Sequence, residues 1–241
     1  MQQTEYEKRM AEAVADIRLK MAAAARAAGR RPEQVLLCAA CKTQTVETVR
    51  QSAGLDIDLF GENHVQELVQ KADAGAYGGK PAHFIGHLQT NKLKKVLGRA
   101  ALIQSMDSLH LLQAIEKEAA RLGLVQDVLL EVNIGAEASK TGIPESELPA
   151  LLEAAAAQPH LRVRGLMAIP PVNTDDAENR AYLARVRRLA QQAAACHYDN
   201  VTMDTLSMGM SGDFENAILE GATIVRIGTA IYGARDYSRR A

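Results

Sequence analysis

Disulfide chemistry is the first thing this chain lacks. Its three cysteines, Cys38, Cys41 and Cys196, are sparse and odd in number, which excludes a disulfide framework. Cys38 and Cys41 form a C-x-x-C, but on a strand residues three apart face opposite ways, so the two do not share a metal or a bridge. An excess of charge of either sign is missing too. The net charge of −1 leaves no basic field to draw in nucleic acid or an anionic membrane without sequence specificity. No apolar run approaches the roughly 20 residues that span a bilayer. The N-terminus, MQQTEYEKRM, is charged from the outset and lacks the apolar core of a secretory signal. Aromatics make up only 4 %, so the basic face of Lys92, Lys94, Lys95 and Arg99 has no interleaved stacking platforms and reads as solvated surface. These absences predict a cytoplasmic protein with no membrane and no nucleic-acid partner.

What is present is an ordinary folded composition, 47 % hydrophobic and 24 % charged, over 241 residues, enough for one large α/β domain. No linker or shift in composition divides it, so residues 1–241 are expected to form a single domain. One stretch organises the rest: Val35 to Lys42, VLLCAACK, an apolar run with no charge until its last residue. It reads as a buried strand delivering one lysine at its carboxyl end. A desolvated lysine is an amine poised to attack a carbonyl; the plainer alternative is a lysine that ends a strand and points into water.

Taken in order, Thr4 to Ala28 has apolar residues at three- and four-residue steps and closes at Gly29, predicting an amphipathic N-terminal helix. After the first strand come a helix over Val46 to Ala53, a strand at Ile57 to Phe60, and a helix to about Ala74. His83 to Gly86 is the third strand, with a helix carrying Leu93, Val96 and Leu97 behind it. Ala101 to Met106 is the fourth, with Asp107 and Ser108 as capping candidates for a helix through Leu122. Asp127 to Asn133, Val163 to Ile169, Thr205 to Met208 and Ile224 to Ile231 complete eight strands. Between them lie a helix opened by Pro144, a long helix capped by Thr174 and reaching about Ala195, and a helix near Asp213 to Glu220.

Eight continuously apolar strands, each followed by a helical pattern, predict a parallel sheet covered on both faces. A closed (β/α)8 TIM barrel with an extra N-terminal helix fits this count and length; a doubly wound open sheet is the competing topology. In a barrel the chemistry sits at the carboxyl ends of the strands. There the sequence places Lys42, Asn63, His87, Gln89, Asn133, Met167, Ser207, Ser211, Arg226, Gly228 and Thr229. Asn63 either contacts a ligand or caps the following helix, and Met167 either packs in the core or reaches the rim. The segment LSMGMSGDF, with its serines flanking Gly209 before a helix, and the turn Ile227 to Ala230 suit a phosphate. A phosphate after strands seven and eight facing a lysine on strand one calls for a ligand with both an aldehyde and a phosphate. Pyridoxal 5′-phosphate (PLP) is such a ligand. His83 and His87, four apart but without the glutamate of a zinc helix, do not suggest a metal.

The sequence also resembles the pyridoxal phosphate homeostasis proteins of the YggS/PROSC type over nearly its whole length. The residues that carry the resemblance are Lys42-Thr43, GENHVQE at Gly61 to Glu67, HFIGHLQTNK at His83 to Lys92, and EVNIGAEASKTGI at Glu131 to Ile143. RGLMAIPP at Arg164 to Pro171, LSMGMSGDFENAI at Leu206 to Ile218 and VRIGTAIYG at Val225 to Gly233 complete the set. Departures are local: Cys41 and Thr45 stand where the family usually has serine and proline, Ala82 where it has an aromatic residue, and His64 where it has tyrosine. The resemblance implies a single-domain barrel similar to the barrel half of bacterial alanine racemase, with Lys42 as the Schiff-base lysine and Arg226 facing the pyridine nitrogen. A salt bridge from Arg226 to a loop carboxylate is the other reading. A permanently charged guanidinium disfavours protonation of that nitrogen, and an unprotonated ring is a poor electron sink.

The expectation is therefore a non-catalytic PLP carrier serving homeostasis and delivery, a monomer whose partners are PLP and PLP-dependent apoenzymes. Its cofactor-binding set is Lys42, Asn63, Met167, Ser207, Ser211, Arg226, Gly228 and Thr229. The alternatives are a PLP-dependent amino-acid racemase of low activity and a Schiff-base aldolase without cofactor. The tail ARDYSRRA offers only Tyr237 as a second base, which argues against turnover.

Overall fold

The computed structural model describes residues 2–172 and 175–233. Eight parallel strands, β1 (Leu36–Ala40), β2 (Leu59–Glu62), β3 (Ala82–Phe84), β4 (Leu102–Met106), β5 (Gln126–Val132), β6 (Leu161–Ala168), β7 (Val201–Ser207) and β8 (Ile224–Ile227), pair in sequence order. β1 pairs with β8, Cys38 opposite Arg226, so the sheet closes on itself. The chain is a (β/α)8 barrel, and the open-sheet alternative falls with that seam.

Around the barrel run α1 (Gln2–Ala27), α2 (Val46–Ser52), α3 (Val65–Asp73), α4 (Leu93–Val96), α5 (Leu109–Leu122), α6 (Leu148–Ala156), α7 (Asp176–Ala194), α8 (Phe214–Leu219) and α9 (Thr229–Tyr232). α5 shows why such segments are helical. The Ser108 hydroxyl accepts from the Leu111 N–H, and Leu111, Leu112, Ile115 and Ala119 form one buried stripe. Gly123 then ends the helix at φ +63. α1 precedes the barrel and buries Met10, Val14, Ile17, Met21 and Ala24 over the β8–β1 side, against α8, α9 and α2.

Strand residues alternate between two apolar layers. Leu37, Ala39, Phe60, Phe84, Ile103, Val128, Leu130 and Val225 pack outward under the helices. Cys38, Leu59, Leu102, Leu129, Met167 and Ile224 fill the barrel interior. Cys38 and Cys41 accordingly sit on opposite faces, and all three cysteines are free. Burial pushes the Cys38 thiol up to about 12 and raises Cys41 as well, so neither is a ready nucleophile.

Several boundaries differ from expectation, β1 and β3 ending two residues early and β6 beginning two residues early among them. The eighth strand stops at Ile227, and Thr229–Tyr232 is a turn of helix whose Ile231 and Tyr232 are buried. A short apolar run does not by itself distinguish the two conformations. β2 lies two residues later than predicted, which brings Glu62 into the sheet. β7 begins at Val201, four residues early. Pro144 precedes a short 3-10 turn, Glu145–Glu147, rather than opening α6 itself. The expected cap Thr174 lies outside the described residues; the Asp175 side chain accepts from the Glu178 N–H and caps α7. Among the described residues no helix is long and apolar enough to cross a membrane.

Candidate functional site

At the carboxyl ends of β1, β6, β7 and β8 lies a cavity of about 360 Å³, within the usual size of small-molecule sites. Lys42, two residues beyond β1 and half-buried, lines it. Ser211 and Gly212 from the β7–α8 loop, and Gly228 and Thr229 after β8, line it as well. The two segments are joined where the Ala230 N–H donates to Ser211 Oγ at 3.3 Å. Pro170, Pro171, Val172 and Met210 give the apolar part of the wall, with Ala40 and Arg226 alongside Lys42 and Asp213 near Asn179. The Asp213 carboxylate accepts from the Met210 N–H at 2.7 Å and the Asn179 amide at 3.1 Å, so it shapes the loop.

Arg226 is 4 % exposed. Its Nη1 donates to Ser207 Oγ at 2.6 Å and its Nη2 to the Ala168 carbonyl at 3.0 Å. The guanidinium has no acceptor of its own, so the Ser207 hydroxyl must send its proton onward, to Gln104 Oε1 at 2.6 Å. The Gln104 amide nitrogen then faces His83 Nδ1 at 2.9 Å, which must accept, leaving the imidazole proton on Nε2. One permanent charge thus sets the direction of a hydrogen-bond chain across the barrel interior. Burial pulls Arg226 down from its ordinary value, which still leaves it charged, and pushes His83 down to about 4. Arg226 makes no salt bridge to a loop carboxylate among the described residues, so that reading is set aside.

Five expected residues therefore share one cavity: Lys42, Ser211, Arg226, Gly228 and Thr229. Three do not line it. Ser207 is fully buried one step below, holding Arg226. Met167 is 1 % exposed in the interior layer. Asn63 borders a neighbouring depression with His64, Gln66, His87, Gln89 and Lys92. Its Oδ1 is buried without a hydrogen-bond partner among the described residues, and its backbone lies so close to Gly86 that a Cβ there would stand 2.2 Å from the Asn63 carbonyl oxygen. His64, not Asn63, occupies the N-cap of α3. His83 and His87 are separated, one inside the barrel and the other beside Asp107 at 3.4 Å. Among the described residues no group of three or more His, Cys, Asp and Glu could hold a metal.

Sequence reasoning passed over Asn179, Asp213 and Glu131. Glu131 is 4 % exposed on β5, its carboxylate accepting from the Thr141 hydroxyl at 2.5 Å. Burial raises its pKa, and the Thr141 bond pulls it back. A charged residue inside an apolar strand was the available signal. Also overlooked was a buried cluster behind Lys42 made by Glu62, Lys71 and Glu67. Burial pushes Glu62 up and facing Lys71 opposes it, while Lys71 stays protonated because its anionic neighbours outweigh its own burial. The i, i+4 spacing of Glu67 and Lys71 was the signal there.

The pyridoxal phosphate homeostasis protein of Pseudomonas aeruginosa is 42 % identical over 228 residues, covering 95 % of this chain and 96 % of its own length. This chain belongs to the pyridoxal phosphate homeostasis protein family. The homologue of that name from Aquifex aeolicus is likewise 42 % identical, over 87 % of this chain and 91 % of its own length. The alanine racemase N-terminal domain family matches residues 15–236. Among solved structures, PipY of Synechococcus elongatus PCC7942 with PLP bound superimposes with a TM-score of 0.81 at 31 % identity, over 93 % of this chain and all of PipY. Membership in the homeostasis family thus extends over the whole barrel, including the strand ends that build the cavity.

Proposed function

We propose that this chain is a PLP-binding protein that holds the cofactor as a Schiff base on Lys42 and serves intracellular PLP homeostasis and delivery, without substantial turnover. The observation that carries the reading is the shared cavity, with an amine on one wall and a small-residue turn on another. A Cβ at Gly212 would meet nothing within 4 Å, so the turn leaves open room for a phosphate to approach its backbone. Bound PLP supplies an aldehyde for the amine and a dianion for Ser211, Gly212, Gly228 and Thr229. Joining Lys42 Nζ to the aldehyde carbon releases the aldehyde oxygen as water. Asn63 borders the adjoining depression, and the resemblance together with its unpartnered side-chain oxygen Oδ1 assigns it to the ring side. Ser207 acts from below by fixing Arg226, and Met167 packs in the interior layer.

Arg226 supports the carrier over a racemase. Ser207 and Ala168 fix its guanidinium at the cavity wall; set against the pyridine nitrogen as the resemblance implies, it would disfavour protonation there and so weaken carbanion chemistry. The second base weighed for a racemase, Tyr237, lies outside the described residues. We further propose that residues 1–241 act as one cytoplasmic PLP-binding domain, a monomer whose partners are PLP and the apoenzymes that need it, without membrane or nucleic acid.

The test is the absorption spectrum. Purified protein mixed with PLP is expected to gain a visible band that borohydride traps as a reduced adduct on the Lys42 peptide, and Lys42→Ala is expected to gain neither. An adduct on another lysine, or steady turnover of an amino acid at about 1 per second or faster, would overturn the reading.

A further inference from the structure

The two peptide groups flanking Lys42 are both tied to one buried ion cluster. Lys71 Nζ, 1 % exposed, has three N–H donors and three acceptors: the Cys41 carbonyl at 2.8 Å, Glu62 Oε1 at 2.8 Å and Glu67 Oε2 at 3.0 Å. The same Glu67 oxygen accepts the Thr43 N–H at 2.7 Å. Thr43 sits at φ +66, a left-handed conformation that a β-branched residue adopts only when its surroundings enforce it. The carbonyl just before Lys42 and the amide just after it are thus fastened to a Lys71–Glu67 pair on α3.

Stability alone gives little reason for such a cluster. Desolvating charges is expensive, and hydrophobic replacements of buried ion pairs are often neutral or better. Glu62 Oε2 is moreover left without a hydrogen-bond partner among the described residues. What the cluster does achieve is geometric. β1 ends at Ala40, and beyond it the Cys41 N–H still donates to the Gly61 carbonyl at 3.0 Å and the Gln44 N–H returns to the Cys41 carbonyl at 3.1 Å. The clamp adds a second donor on that carbonyl and fixes the Thr43 amide on the far side of the lysine.

We propose that Lys71 and Glu67 are positioning residues for Lys42, holding its backbone so that the amine meets an aldehyde whose phosphate is already seated. The proposal rests on the reading of Lys42 as the cofactor lysine. The covalent step forms one C–N bond and expels the aldehyde oxygen as water, with no change of oxidation state. Misplacing a reacting group by about 1 Å can cost about a hundredfold in rate, so loosening the clamp should slow this step and leave phosphate docking alone.

The test compares Glu67→Ala with Glu67→Gln, whose amide oxygen still accepts the Thr43 N–H. Three quantities are read: Thr43 amide exchange in cofactor-free protein, the rate of band formation with saturating PLP, and affinity for pyridoxine 5′-phosphate, which has no aldehyde. Glu67→Ala is expected to speed Thr43 exchange and slow band formation about tenfold or more, with affinity for pyridoxine 5′-phosphate unchanged. Glu67→Gln is expected to recover most of the rate. Lys71→Met should behave like Glu67→Ala; if it fails to fold, the two variants at Glu67, a side chain 23 % exposed, decide the matter. Band formation at the wild-type rate in Glu67→Ala, or an affinity that falls in step with the rate, overturns the positioning role alone. A wild-type protein that forms no band overturns the Lys42 reading and this proposal together.

Discussion

At the scale of single residues, the barrel interior is ruled by the mismatch between donors and acceptors. Arg226 can only donate, and its demand passes through Ser207 and Gln104 to His83, which is left neutral and accepting. The consequence is a pH dependence of stability. The folded His83 takes a proton only near pH 4, whereas in the unfolded chain it does so near its ordinary value of 6.5. Its contribution is complete above that ordinary value and is lost as pH falls toward 4. Between about pH 7.5 and pH 4.5 the loss should be on the order of 2 kcal/mol. His83→Gln keeps an acceptor for Gln104 and removes the titration, so urea unfolding should show a shallower fall in stability for the variant. Parallel curves would contradict this account. Lys42 was legible from sequence because a charge at the end of an apolar run is conspicuous. Ser207 and Ser211 looked alike; only strand geometry separates the one that anchors Arg226 from the one that lines the cavity.

At the scale of elements, the helix most easily read is also the most consequential for the seam. α1 covers the side of the barrel where β8 meets β1, and the Arg30 guanidinium just beyond it donates to the Ala222 carbonyl at 2.8 Å. Tyr6 reaches the Tyr232 carbonyl at 3.1 Å, joining the helix to the turn behind Gly228 and Thr229. Ile17, 3 % exposed, lies in the buried stripe of α1. Ile17→Ala should cost about 2–4 kcal/mol, measured by denaturant unfolding, while the folded fraction still captures PLP in equal amount. A loss of capture without a loss of stability would mean that α1 serves the site directly. The last strand reads too long because Ile224, Val225, Ile227, Ala230 and Ile231 keep Ile224 to Ile231 largely apolar across Gly228; α1 offers Ile231 and Tyr232 a helical docking surface that no periodicity reveals.

At the scale of the whole molecule, closure places the first and last strands side by side, and the cavity exists because of that adjacency. A ligand that binds only the closed barrel must stabilise all of it. PLP at about a hundred times its dissociation constant should add about 2.7 kcal/mol, or a rise of about 5–10 °C in Tm for a chain of this length. Thermal unfolding with and without PLP checks this, and an unchanged Tm would count against binding at the barrel mouth. The sequence by itself determined the strand–helix alternation, the eightfold count and the isolated lysine, because apolar periodicity and a lone charge are local properties of the chain. Only the tertiary structure decided how deep each polar residue sits and which carboxylates stand behind Lys42. Those depend on register, strand tilt and the pairing of residues far apart in sequence, where Glu62, hidden at a misplaced strand boundary, becomes the buried partner of Lys71.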